Sequence, residues 1–318
     1  MNVYGSIVLN GAYSAAENST NSLAKTEFNI YNGAVATFKN NAFNANGGKL
    51  FVQSGGKIQA LDSGLKISNT DVVINGNVEV ADGTTNSFIQ FTNSTVLLDG
   101  EGATVKYTNV GGNSGLYSGT VMTISNGAKL DSLNGFIVTD SVLRLNTQGA
   151  ISCEWLNFGK NGTIEFNVEN VAQCHFQVWG TNTKAVFNAS QDFPKYSFIF
   201  RNGYSNSEIR HTVNIVLGDN VEYIKGRSLT EFGLAEGYGL TIENFANDVF
   251  LFSNWNENDD LSFVDLGDDW VDLHTDTIVV DGQTYTTLRA NYIPEPSLFG
   301  GFFGLAAAAF YIYRKSRK

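Results

Sequence analysis

Charge, proline, cysteine and histidine are all scarce in this chain, and each shortage excludes something. Only 16% of the 318 residues are charged, against 42% hydrophobic and 13% aromatic. A chain with that much apolar surface and so little charge does not stay disordered. Twenty Lys and Arg against 31 Asp and Glu leave a net charge of −11. That excludes nucleic acid as the main partner, because phosphate binding needs a basic face. Two cysteines offer no metal-type spacing, and three histidines form no HExxH or Cys/His pair; GxSxG is also missing. Zinc and nucleophilic chemistry therefore lack a signature. Few Pro, Lys and Glu beside 33 Gly and many Asn, Ser and Thr predict short strands joined by tight turns, with no long helix outside the carboxyl-terminal tail.

What is present is a repeat. An alternating apolar run, a small polar residue, glycine and a second alternating run recur as Phe28 to Val35, Leu50 to Ile58 and Met122 to Leu130, with shorter copies at Ile7 to Ala12, Val72 to Asn77 and Val96 to Gly100. The repeat glycines are Gly11, Gly33, Gly55, Gly76, Gly100 and Gly127, evenly spaced at first and farther apart in the last two intervals. Alternation turns every second side chain inward, and Asn-Gly suits a turn that needs positive φ. A period near 22 with strand-type alternation predicts a solenoid. A leucine-rich repeat would need Leu-x-x-Leu-x-Leu and a helical segment. An antiparallel sandwich would show turns every 8–12 residues or so without a long period. The expected fold class is all-β, a single-chain parallel β-helix of about three short strands per coil. These repeats loosely resemble those of autotransporter passenger domains.

The expected organisation is β-helix coils over 1–207, acidic final coils and a β cap over 208–292, and a distinct tail over 293–318. From Glu208 to Asp281 carboxylates are frequent and the cations are only three, Arg210, Lys225 and Arg227, so this segment carries most of the negative charge. A cap is expected because an open solenoid end would pair with another chain. Cys153 and Cys174 are separated by close to one coil. Stacked strands lie about 4.8 Å apart, inside the Cα range a disulfide bridges, so a coil-to-coil staple and two separate buried thiols are both open. Asn254, Asn256, Asn258 and Asp260 alternate in an acidic stretch and form a weak calcium candidate, without the glycine and terminal glutamate of an EF-hand; a solvated loop is the favoured reading. Trp155, Trp179, Trp255 and Trp270 offer faces for sugar rings or for packing. Arg144, Arg201, Arg210, Arg227 and Arg289 form no recognisable catalytic constellation, so neither a catalytic residue nor a cofactor is assigned.

The chain ends PEPSLFGGFFGLAAAAFYIYRKSRK. Ser297 to Tyr313 is a run without charge, about 25 Å long as a helix, the short limit for spanning a membrane. Arg314, Lys315, Arg317 and Lys318 follow as a basic stop expected to stay cytoplasmic. Pro294, Glu295 and Pro296 precede it, and the prolines keep the segment extended. This order of motif, apolar helix and basic end resembles the PEP-CTERM sorting signal of Gram-negative bacteria. The resemblance implies recognition and cleavage by exosortase, an integral-membrane protease, and release to the cell surface or extracellular matrix. The first residues, MNVYGSIVLNGAYSAAENST, hold no basic n-region or apolar h-region, so the expectation is a longer exported precursor. Together these features predict an exported, non-catalytic β-helix protein held at the inner membrane before processing, with exopolysaccharide as an expected partner. The alternatives on the same scaffold are a polysaccharide lyase or hydrolase and a glycan-binding adhesin.

Overall fold

Short runs with one apolar side pack by stacking coil on coil, and the computed structural model of the chain is a parallel β-solenoid of about nine turns. It describes residues 1–10, 27–39, 43–61, 64–81, 88–108, 114–133, 135–193, 198–199, 211–230 and 238–293. Each regular coil contributes three strands. Face A carries Lys49–Val52, Asp71–Ile74, Thr95–Asp99, Val121–Ser125, Val142–Leu145, Thr163–Phe166 and their successors in one 12-stranded sheet. Face B stacks Lys57–Leu61, Asn77–Ala81, Thr104–Tyr107 and Lys129–Ser132, and face C stacks Leu65–Ser68, Ile89–Thr92, Gly115–Tyr117 and Phe136–Val138. Faces B and C fuse where Ile151–Phe158 and Ala172–Val178 each run through the corner as one strand.

Parallel, in-register pairing places equivalent residues directly above one another. One inward column on face A runs Ile30, Val52, Ile74, Leu98, Ile124, Leu145, Phe166, Phe187 and Leu217, and no member is more than 3% exposed. Burying each such side chain stabilises the fold by roughly 1.5–3 kcal/mol. Phe166 and Phe187 stack with centroids 4.5 Å apart, which adds to the burial. Coil length along this column varies, with Leu145 to Phe166 among the shortest steps and Phe187 to Leu217 the longest, because extra chain is added outside it. In two coils the added chain lies between face B and face C, from Ala81 to Ile89 and from Tyr107 to Gly115.

Two corners are held by different devices. The repeat glycines mark the A-to-B turn: Gly33, Gly55, Gly100 and Gly127 have φ between +74° and +103°. Gly76 instead meets backbone, since a Cβ there would lie 2.3 Å from the Gln53 carbonyl oxygen. At the C-to-A corner the left-handed residue is usually Asn: Asn69, Asn93, Asn161 and Asn182 have φ of 51°, 47°, 53° and 61°. Their amides form ladders. Asn69 donates to Asn46 at 2.7 Å and Asn93 to Asn69 at 2.6 Å; farther on, Asn161 donates to Asp140 at 2.6 Å and Asn182 to Asn161 at 3.2 Å. The next residue inward is a buried hydroxyl at Thr70, Ser94, Thr120, Ser141 and Thr183. Ser94 Oγ accepts from the Thr70 N–H at 3.2 Å, and Thr120 Oγ1 from the Ser94 N–H at 3.3 Å. Backbone donors left over at the bend are thereby satisfied inside a dry core.

The pairing continues past residue 208. His211–Leu217 and Tyr238–Glu243 extend face A, and Ile224–Gly226 and Phe250–Phe252 form a short parallel stack. The hairpin of Trp270–Val280 and Gln283–Tyr292 then lies antiparallel on Phe250–Phe252. Its turn residues Asp281 and Gly282 both have positive φ, as a two-residue hairpin turn requires. The predicted helix over 297–313 falls outside the described residues. Among the described residues no helix is long and apolar enough to cross a membrane, and the one helical turn is the 3₁₀ segment Leu261–Phe263. Asn161→Ala removes a left-handed residue and a ladder rung together, and is expected to cost about 2 kcal/mol. Asn161→Gly, which keeps the backbone comfortable, should cost less; urea unfolding midpoints of the two variants check this.

Candidate functional site

The outward side chains divide into a neutralised part and an aromatic part. On faces A and B, charges meet opposite charges one coil away: Lys57 with Glu79, Lys106 with Asp131 at 3.5 Å, and Arg144 with Glu165 at 3.1 Å. On the terminal hairpin Arg289 bridges Asp248, at 2.8 Å, and Asp276, and these carboxylates hold its guanidinium above the usual arginine value. Arg144 and Arg289 are thus committed to structural pairs. Arg201 and Arg210 lie outside the described residues.

The B–C corner and the outer side of face C differ. This is where extra chain is inserted in earlier coils, and where Leu133 is 65% exposed. When the corner straightens, a register shift between Ser152 and Trp155 against the next coil turns Trp155 outward, opposite His175. Their rings stack at 4.9 Å with a 27° tilt. Leu156, Phe158, Phe176 and Val178 alternate with this side and fill the core. Trp179, the next outward aromatic, is 38% exposed. Asn157 and Gln177 pair between these rings as register partners. Glycine lets neighbouring coils approach closely here: a Cβ at Gly135 would meet Asn157 Nδ2 at 2.5 Å, and one at Gly159 would meet Thr139 Oγ1 at 2.0 Å. Tyr117 shares this surface two coils earlier, and burial pushes its phenol up to about 12. Gln177 is buried and so is Asn157 Oδ1, so the accessible part of this side is the exposed Trp179 ring with the half-buried Trp155 and His175, faces of the kind that pack on the apolar side of a sugar. The signal legible in the sequence was the tryptophans; their grouping depends on the fused strand, which the repeat pattern does not reveal. Trp255 and Trp270 are elsewhere, packed on Phe252 at 5.2 Å and on Phe245 at 5.1 Å.

Cys153 and Cys174 do meet in neighbouring coils, both buried. They are free thiols in hydrogen-bonding contact, with burial raising Cys174 well above the ordinary thiol value. The calcium candidates share one loop, in which the Asn256 and Asp260 oxygens accept hydrogen bonds from the chain. Asn256 Oδ1 accepts from the Asn258 N–H at 3.0 Å and Asp260 Oδ1 from the Ser262 N–H at 2.9 Å, capping the 3₁₀ turn. Asp259, 8% exposed, accepts from the Thr230 N–H and hydroxyl. Asn254 is exposed, and its N–H bonds the Arg227 carbonyl at 2.7 Å. Among the described residues no group of three or more His, Cys, Asp or Glu is placed to hold a metal ion. The sorting motif Pro294, Glu295 and Pro296 and the basic end Arg314, Lys315, Arg317 and Lys318 lie outside the described residues. No family model, curated protein or solved structure matches the chain.

Two outcomes follow from the buried titratable groups. Neither thiol should react with a disulfide-exchange reagent in the native protein, and both should titrate in urea; an intact mass lighter by two hydrogens would mark a staple instead. Burial lowers His211 below its ordinary 6.5, so below that pH the unfolded chain takes up the proton more readily. Stability is present above about 6.5 and is lost as pH falls through it. The urea midpoint should drop between about pH 7.5 and 5.5, and His211→Gln should flatten part of that drop.

Proposed function

We propose that the chain is an exported, non-catalytic rod of the cell surface or extracellular matrix, whose outer side is a display surface and whose tail directs its delivery. The observation that carries this reading is the continuous in-register column of the core, together with outward charges that neutralise one another from coil to coil. A solenoid built this way is stiff along its axis, and each coil contacts only its neighbours. The tail from Pro294 to Lys318 adds the resemblance to an exosortase substrate. On that reading the precursor sits at the inner membrane through 297–313 and is cleaved near Pro294-Glu295-Pro296. A second reading, glycan binding, is favoured by the outward rings of Trp155, His175 and Trp179. In it the rod presents those rings to exopolysaccharide.

Deleting Pro294 to Lys318 should abolish appearance of the protein outside the cell while leaving it folded, as followed by surface labelling and circular dichroism; undiminished delivery would refute the sorting role. For the glycan reading, binding to a glycan array should weaken at least tenfold in Trp179→Ala, with Trp255→Ala as a control away from the surface.

A further inference from the structure

The terminal hairpin lies on the short sheet of Phe250–Phe252, and its outer strand has a free edge among the described residues. Trp270–Val280 pairs with Gln283–Tyr292 on one side and with no other described strand. The orientation of its open edge follows from the far side of the hairpin. The Leu288 carbonyl accepts from the Asp248 N–H at 3.3 Å and the Ala290 carbonyl from Asn247 Nδ2 at 3.1 Å. Leu288 therefore turns its backbone away from its partner Thr275. In an antiparallel pair both residues of such a site point outward. Thr275, Thr277 and Val279 thus direct their N–H and C=O groups to the open side, and Val279 is 65% exposed. Unpaired edge groups of this kind template further strand addition.

The edge is bounded at both ends. Asp272, with φ of 56°, sits in the bulge between Val271 and His274, and the turn at Asp281-Gly282 ends the other side. The flat window is 274–280, and its midpoint is Thr277. We infer that this window pairs antiparallel with the same window of a second copy of the chain, about a two-fold axis at Thr277. In that register Thr277 faces Thr277, Thr275 faces Val279, Asp276 faces Ile278 and His274 faces Val280. On the order of six backbone hydrogen bonds form, and no like charges stand opposite. The neighbouring symmetric registers are worse: one sets Asp276 against Asp276, and the other pushes Thr275 onto Asp281 in the turn. Asp276 Oδ1 accepts from the Thr277 N–H at 2.7 Å, so pairing exchanges that bond for the partner's carbonyl while Arg289 keeps the Asp276 carboxylate. This competition makes the dimer weak and concentration-dependent. It joins two rods at their capped ends.

The test is a cysteine placed on the axis of the full chain, kept in detergent because of its apolar tail. Opposed Cα atoms at such a site are about 5.5 Å apart, within disulfide reach, whereas two copies of residue 275 are about 13 Å apart along the strands. With diamide accepting the two electrons and two protons, Thr277→Cys should give a reducible covalent dimer. Thr275→Cys and the unaltered chain, whose own thiols are buried, should give less than about a tenth as much. In sedimentation velocity Thr277→Lys, which opposes two ammonium groups, should raise the dimer dissociation constant at least tenfold. Equal cross-linking at 275 and 277, no cross-linking at 277, or unchanged sedimentation of Thr277→Lys would each overturn the inference.

Discussion

Everything in this molecule depends on the hydrogen bonds that hold each coil about 4.8 Å above the last. That spacing is too short for any position to be indifferent to its equivalent in the next coil, so each position must be able to stack on its own kind. Aliphatic side chains and phenyl rings satisfy this in the core, from Ile30 to Leu217. Amides satisfy it at the C-to-A corner because each is both donor and acceptor. Charges cannot, and the structure answers by alternating their sign, as with Lys57 and Glu79 or Arg144 and Glu165.

The same constraint explains which parts could be read from the sequence. Alternation and the regular glycine spacing reveal the coil and the A-to-B turn, since a left-handed or crowded position there leaves few choices but glycine. The C-to-A corner left a fainter trace: Asn69-Thr70, Asn93-Ser94, Asp140-Ser141 and Asn182-Thr183 recur with the period, yet each pair looks like ordinary loop composition. The fused B–C strand left none, because Trp155 and His175 come together only after a register shift that no local pattern announces. Cys153 and Cys174 were legible as neighbours from spacing alone, while their state as free thiols was not. At the calcium candidate, alternation predicts a shared side, whereas the local hydrogen bonds, with Asn256 in a turn and Asp260 capping the 3₁₀ segment, carry no trace in that pattern.

Inside and outside therefore follow different rules. The core tolerates only residues that repeat, whereas the outer side is free to vary wherever chain can be added without disturbing the ladder. The added length between faces B and C, followed by the ring surface where those faces fuse, concentrates that freedom along one edge of the rod. A scaffold of this sort can change what it presents without changing what holds it up.

The amide ladders carry one more consequence. In these rungs the later asparagine donates to the earlier residue: Asn69 to Asn46, Asn161 to Asp140, Asn167 to Asn146, Asn188 to Asn167. The side-chain dipoles are thus aligned head to tail, with their positive ends toward the first coils. Aligned amides add up as peptide units do along a helix, and a negative charge is favoured at the positive end. Asp140 occupies that end of its run, accepting from Asn161, and Asp99 likewise accepts from Ser125 and Asn126. Other runs end on a neutral amide, at Asn46 and Asn146, so only some of these aligned rows are closed by a charge.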